Sequence, residues 1–232
     1  MASDKPKNLQ MAGSVEAAKE YFSQFEGSPA EAYMSARGLA PVAAKFGVGY
    51  VGSARTGDER LAGMLVIPYF RPAGGEHAVA TIRYRCIADE CVKDEDGNYL
   101  APTQKERHVG HGKYKSLPGD HPRLYNTAAL IRPTPYIALS EGEFDSQASE
   151  LAGVPCAGTQ GTSAWRGHFD PAFIGFEAVF IIADDDEPGI QAADKRAAEM
   201  PNGKVIVLGG GHDINSFVHT QGVDEYRKRL GL

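Results

Sequence analysis

Apolar and polar positions follow two different rhythms along this chain, and the change falls near residue 136. From Ser14 to Phe25, Val15, Ala18, Tyr21, Phe22 and Phe25 recur at three- and four-residue spacing behind a capping serine, which predicts a helix. Glu31–Arg37 repeats that spacing and stops at Gly38, and a third short helix is expected after Pro41 as far as Phe46. Gly47–Val51 and Leu61–Phe70 read as strands, with Pro68 marking an edge or a bulge in the second. After the turn at Arg71–Gly75, His77–Cys86 alternates as the partner strand of a hairpin. Arg83 and Arg85 share one face of it, and Ile82 and Tyr84 share the other. Residues 88–112 are polar and contain glycine, so they read as a long loop, with Lys113-Tyr114-Lys115-Ser116 after it.

From Tyr136 onward, short apolar runs alternate with helical patterns. Strands are predicted at Tyr136–Ser140, Val154–Ala157, Ala178–Ala183 and Lys204–Leu208. Helices are predicted at Phe144–Ala152, from Pro188 to about Met200, and at Val223–Leu230. Such βαβ alternation implies an α/β domain with a parallel sheet and flanking helices. The expected organisation is a disordered lead over 1–13, a smaller α+β subdomain over 14–135, and the α/β domain over 136–232.

Two acidic clusters sit where strands of the second half end. Ser140-Glu141-Gly142-Glu143-Phe144-Asp145 follows the first strand, and Ala183-Asp184-Asp185-Asp186-Glu187-Pro188-Gly189 follows the third. Open α/β sheets bind ligands at the carboxyl ends of their strands, and hard divalent cations seek carboxylate oxygens. The charge distribution sharpens this reading. The net charge of −6 conceals six Lys/Arg against two Asp/Glu over 101–140, followed by three against twelve over 141–199. A polyanion docked on the basic stretch and cations held by the acidic stretch would suit phosphoryl transfer on nucleic acid.

Composition narrows the field further. With 42% hydrophobic residues a core is expected, while no apolar run approaches the ~18 residues of a membrane span. Met1–Gln10 is polar and lacks the apolar stretch of a secretory signal, so a cytoplasmic location is expected. Cys86, Cys91 and Cys156 include no C-x-x-C pair, and on that spacing no zinc is expected.

An apolar strand ending in Glu-Gly-x-x-Asp, with a later strand ending in Asp-x-Asp, resembles the signature of the TOPRIM domain of bacterial and phage DNA primases, topoisomerases and some nucleases. Here the motifs are Glu141-Gly142-Glu143-Phe144-Asp145 and Asp184-Asp185-Asp186. Ala157–Thr162, Pro188-Gly189 and Gly211–Phe217 are similar to further primase segments, with Asn215 departing where those proteins tend to carry a second acid. Arg37-Gly38-Leu39, Phe46–Tyr50, the hairpin ending in Arg83-Tyr84-Arg85, and Lys113-Tyr114-Lys115-Ser116 resemble the primase half that precedes the TOPRIM domain.

The resemblance implies template-directed synthesis of short RNA primers on single-stranded DNA from NTPs, by two-metal nucleotidyl transfer. It implies Glu141, Asp184 and Asp186 as catalytic metal ligands for Mg²⁺ or Mn²⁺, with Asp145 and Asp213 completing the cluster, and Arg83, Arg85 and Lys113 as nucleotide or template contacts. Asp185 and Glu143 are expected to point away from the metals, with Glu143 exposed. His108 and His111 read either as phosphate contacts or as plain surface. The chain lacks the Gly-x-x-x-x-Gly-Lys-Ser/Thr loop of a fused helicase, so a separate helicase partner is expected. A TOPRIM nuclease, or a non-catalytic module binding helicase or single strands, are the competing readings.

Overall fold

The structure, a computed structural model, describes residues 8–74, 78–117 and 119–232. The chain divides into two compact units, one of Met1–Tyr33, Ala43–Asn98 and Glu106–Asp120, the other of Met34–Val42, Tyr99–Lys105 and His121–Leu232. Local periodicity sees the change of pattern near residue 136, but not the two short excursions the earlier chain makes into the second unit.

The first unit is built on a four-stranded antiparallel sheet, β1 (Gly49–Tyr50), β2 (Leu65–Phe70), β3 (Val79–Arg85) and β4 (Tyr114–Ser116), paired in that order. Helix α1 (Asn8–Phe22) packs on it, and its Tyr21 meets Tyr84 of β3 edge-to-face at 6.4 Å. The helix starts at Asn8, inside the lead read as disordered; residues 1–7 and His77 lie outside the described residues. Pro68 lies in an inner strand, yet breaks no ladder. β1 pairs only with Leu65 and Val66, so the side Pro68 presents there is a local edge, and the register shifts just beyond it, between Tyr69 and Phe70. The segment Lys113–Ser116 adds a strand the pattern did not reveal, with Tyr84 opposite Lys115. The long loop contains one short helix, Asp89–Val92.

The second unit carries a fully parallel sheet in the order β6-β5-β7-β8, with β5 Tyr136–Ser140, β6 Cys156–Gly158, β7 Ala178–Ala183 and β8 Gly203–Val207. Every residue of β7 is buried, as a strand covered on both faces requires, and this explains its unbroken apolar run. Ile137, Leu139, Val179 and Ile181 form the centre of the core with Phe169, Phe173 and Met200. Helices Glu143–Leu151 and Glu187–Glu199 connect β5 to β6 and β7 to β8, and Ile214–Gln221 and Val223–Arg229 follow the last strand. Of these, Ile214–Gln221 was not foreseen, because Gly209–Gly211 before it and the polar Asn215 and Ser216 inside it hide its apolar face.

Strand order locates the binding crevice. From β5 the chain passes to β6 on one side, and from β7 it passes to β8 on the other. The connections thus diverge at the adjacent pair β5 and β7, the switch point where α/β sheets open a crevice beyond their carboxyl ends. Leu139 pairs with Ile181, so Glu141 and Asp184, each just past its strand, are brought side by side.

Candidate active site

Two acids at that crevice, Glu141 and Asp145, hold their protons more tightly than free carboxyls do, because of burial first and neighbouring carboxylates second. Glu141 is half-buried, and desolvation, then Asp184, then Asp186 push its carboxyl up to about 7 against the counter-effect of the Asp184 backbone N–H. Desolvation, then Asp213 and Asp184, also push Asp145 well above the carboxylate range, although it accepts a hydrogen bond from Asn215 N at 3.0 Å and lies near Arg37. Asp184 therefore acts on both groups. So many carboxylates in mutual repulsion suit hard divalent cations, and this donor set of oxygens fits Mg²⁺ or Mn²⁺.

Helix ends position several of these side chains. Asp186 caps the helix Glu187–Glu199, its Oδ1 accepting from Gly189 N at 2.7 Å. Asp213 caps the helix Ile214–Gln221, accepting from Ser216 N at 2.7 Å. Each cap engages one oxygen. Asp185 points elsewhere, as expected, and accepts from Gly211 N at 2.7 Å, which ties the acidic turn to the Gly209–Gly211 loop. Asn215 exchanges hydrogen bonds with Arg37, donating from Nδ2 to the Arg37 carbonyl (2.9 Å) and accepting from its Nε (3.0 Å), which is a structural position. Arg37, which the sequence offered only within the Arg37-Gly38-Leu39 segment and with no role of its own, also lies over the Phe144 ring at 5.3 Å.

One expectation fails outright: Glu143 is 1% exposed, because the start of the helix turns it inward instead of toward solvent. Two glycines hold the acidic turns close. A Cβ on Gly142 would lie 2.8 Å from Asp145 Oδ2, and one on Gly189 would lie 2.7 Å from the Asp184 carbonyl and 3.0 Å from Asp186 Oδ1. Gly189→Ala is therefore expected to weaken Mn²⁺ binding about 10-fold, as displaced ligand supports do. Isothermal titration would show it, and an unchanged affinity would mean the turn tolerates the shift.

Beside Glu141 lies a small cavity of about 40 Å³ lined also by Thr159, Trp165 and Arg196. Arg196 stacks on the Trp165 ring at 3.9 Å, and the indole Nε1 donates to Asp170 Oδ1 at 3.0 Å. In sequence Arg196 is indistinguishable from an ordinary surface charge of a helix. Its partner on another element is visible only in three dimensions.

The basic residues chosen from sequence belong to the first unit, and their surroundings change their reading. Arg85 is 2% exposed, and its Nη2 donates to both carboxylate oxygens of Glu106 at 2.8 and 2.9 Å. Its Nε donates to Tyr33 Oη at 2.9 Å, and Tyr114 Oη takes a further hydrogen bond. Buried in this way, it is not a phosphate contact. Arg83 lies over the Tyr114 ring at 4.2 Å. Lys113 remains partly exposed while standing 3.4 Å from Glu106.

The comparisons with known proteins agree with this geometry at the level of fold. No family model matches the chain. The fold is that of the catalytic domain of bacterial primases. The RNA polymerase domain of Mycobacterium tuberculosis primase DnaG, crystallised with a double-stranded DNA oligomer bearing a 6-nucleotide overhang, superposes with a TM-score of 0.72 at 17% identity, covering 98% of this chain and 80% of that one. A DnaG primase catalytic domain bound to ssDNA gives a TM-score of 0.69 at 16% identity, covering 98% and 80%. Within that fold the chain belongs to the family of the Gene 57 protein of Mycobacterium phage D29, to which it is 39% identical over 169 residues, 72% of this chain and 98% of that protein. Among the described residues no helix is long and apolar enough to cross a membrane.

Proposed function

We propose that this chain is the catalytic core of a DNA primase, probing a single-stranded DNA template with NTPs and joining ribonucleotides into short RNA primers, in phage replication. One observation carries the reading: in a chain with the primase fold, Glu141, Asp184 and Asp186 converge with Asp145 and Asp213 where the connections of a parallel sheet diverge. The reaction joins a primer 3′-hydroxyl to an α-phosphate with loss of pyrophosphate. Mg²⁺ or Mn²⁺ held by Glu141, Asp184 and Asp186 would stabilise charge on the attacking and leaving oxygens. With its carboxyl near 7, Glu141 is also suited to take a proton from the attacking hydroxyl at neutral pH. Asp145 and Asp213 are assigned to the outer part of the cluster. Lys113 and Arg83 are the candidates for nucleotide or template phosphate, since the Arg85 charge is buried against Glu106. A separate helicase is the expected partner.

The metal site has a pH signature. Protonated Glu141 cannot ligate a cation, so Mn²⁺ affinity is expected to rise about tenfold from about pH 6 to about pH 8 as a group with its pKa near 7 ionises. Water-proton relaxation measured across that range checks this, and a flat profile would remove Glu141 from the ligand set. To test the function itself, labelled single-stranded DNA and NTPs are incubated together with Mg²⁺ or Mn²⁺. A new phosphodiester between ribonucleotides supports primase. Cleavage of the DNA without synthesis would instead make the same carboxylates those of a nuclease.

A further inference from the structure

The first unit holds a second cluster of metal-ligating side chains, unrelated to the carboxylates above. Cys86, Cys91, His108 and His111 bring one potential ligand atom each to within 4.8 Å of all the others. We infer that these four residues bind a zinc ion that fastens the two ends of the loop between β3 and β4.

Three of the separations, those among Cys86, Cys91 and His111, match a coordination shell. Ligands of tetrahedral zinc, with Zn–S near 2.3 Å and Zn–N near 2.0–2.1 Å, stand about 3.8 Å apart for two sulfurs and about 3.5 Å for a sulfur and a nitrogen. Here the two Sγ atoms are 3.7 Å apart, and His111 Nε2 is 3.3 Å from Cys86 Sγ and 3.5 Å from Cys91 Sγ. A disulfide would need its sulfurs near 2.05 Å, and the cysteines are free thiols.

Both imidazoles are oriented as zinc ligands are. His111 Nδ1 lies 3.1 Å from the Val109 carbonyl, an acceptor only, so that nitrogen carries the proton and Nε2 presents its lone pair to the sulfurs. His108 Nε2 lies 2.9 Å from Glu106 Oε2 and donates to it. Its other nitrogen, Nδ1, is buried and has no hydrogen-bond partner. A buried imidazole nitrogen without a partner is costly unless something occupies its lone pair. The chain Glu106 to His108 to metal is the carboxylate–histidine arrangement that fixes the tautomer of zinc ligands.

The spacing fits as well. Cys-x₄-Cys falls within the usual range for paired ligands, and the short His-x₂-His can be accommodated if His111 ligates through Nε2 and His108 through the nitrogen left free by Glu106. A cavity of about 370 Å³ borders the cluster at Cys86 and His111. Four protein ligands leave no open position, which makes the site structural. Cysteine spacing alone does not reveal that two histidines about twenty residues later fold back onto the thiols.

The full chain, expressed with zinc and purified under reducing conditions without chelator, is expected to carry about one zinc by plasma mass spectrometry. Cobalt in its place should show the d–d bands of a tetrahedral site and thiolate-to-metal charge transfer. Cys86→Ser and Cys91→Ser should each remove metal and charge-transfer band, while Asp184→Asn keeps both. If the serine variants do not fold, the wild-type cobalt spectrum decides alone. Less than about a tenth of an equivalent of zinc together with no thiolate charge transfer would overturn the inference. Zinc retained by the double serine variant, or a Cys86–Cys91 disulfide whose reduction does not restore metal binding, would overturn it equally.

Discussion

Asp184→Asn should lower primer synthesis about 10³-fold or more, the loss of roughly 4 kcal/mol of stabilisation at the reacting oxygens. The same variant should be at least as stable as the wild type in the absence of metal. Asp184 raises the proton affinity of both Glu141 and Asp145, so its charge opposes folding wherever those groups ionise. Burial first, then Asp184 and Asp186, shift the Glu141 carboxyl from 4.5 up to about 7, so the cost of ionising it, of which Asp184 supplies one part, sets in as pH rises from 4.5, grows to about 7 and is full above that. Removing the neighbouring charge should raise Tm by about 2–4 °C at pH values above that window. Activity lost while stability is gained is the mark of a site built for a cation. An Asp184→Asn chain that loses stability instead, and keeps its activity, would make Asp184 an ordinary structural acid.

Glu106→Gln should destabilise the first unit by about 3–5 kcal/mol, because it strands the buried Arg85 guanidinium without its carboxylate. Glu106 is 4% exposed, and it gathers Arg85, His108 and Lys113 as well as a 2.5 Å hydrogen bond from Tyr33 Oη. Burial opposes its ionisation, but Arg85 and Lys113 outweigh burial and hold the carboxyl far below the usual range. Lys113→Ala removes only a partly exposed member and should cost less than about 1 kcal/mol. Urea unfolding of the two variants separates these values. Equal small losses would show that the network contributes little. Arg85→Met would likewise lose stability, so weakened DNA binding by that variant would report unfolding and not a missing phosphate contact.

The second unit was largely legible in the sequence, because its signals are local. Tyr136–Ser140 and Ala178–Ala183 are continuous apolar runs too short for helices, and both strands occupy those limits. Pro188 just inside a helix start and Gly153 just beyond a helix end carry their own conformational preference. The acids were legible for the same reason, being attached to strand ends.

What escaped was set by contacts distant in sequence. Tyr114–Ser116 is a strand only because β3 offers it an edge. Arg85 and a long polar loop gave no hint that Glu106 would fold back to neutralise the arginine, and the basic excess over 101–140 was counted as if every charge faced solvent. Arg132, another member of that excess, pairs with Glu150 at 2.6 Å. Glu143 shows the opposite failure: an acid in a polar motif looks exposed until the helix it begins is docked. The Cys/His cluster joins residues 86–91 to residues 108–111, a separation over which spacing rules have no reach.

The central claim is tested most directly by supplying the purified chain with single-stranded DNA of defined sequence, labelled NTPs and Mn²⁺, then sequencing the ribonucleotide products. Short RNA complementary to the template is expected, formed by the wild type and absent with Asp184→Asn. Products that ignore the template, or the absence of any ribonucleotide joining with either Mn²⁺ or Mg²⁺ across a panel of templates, would contradict it.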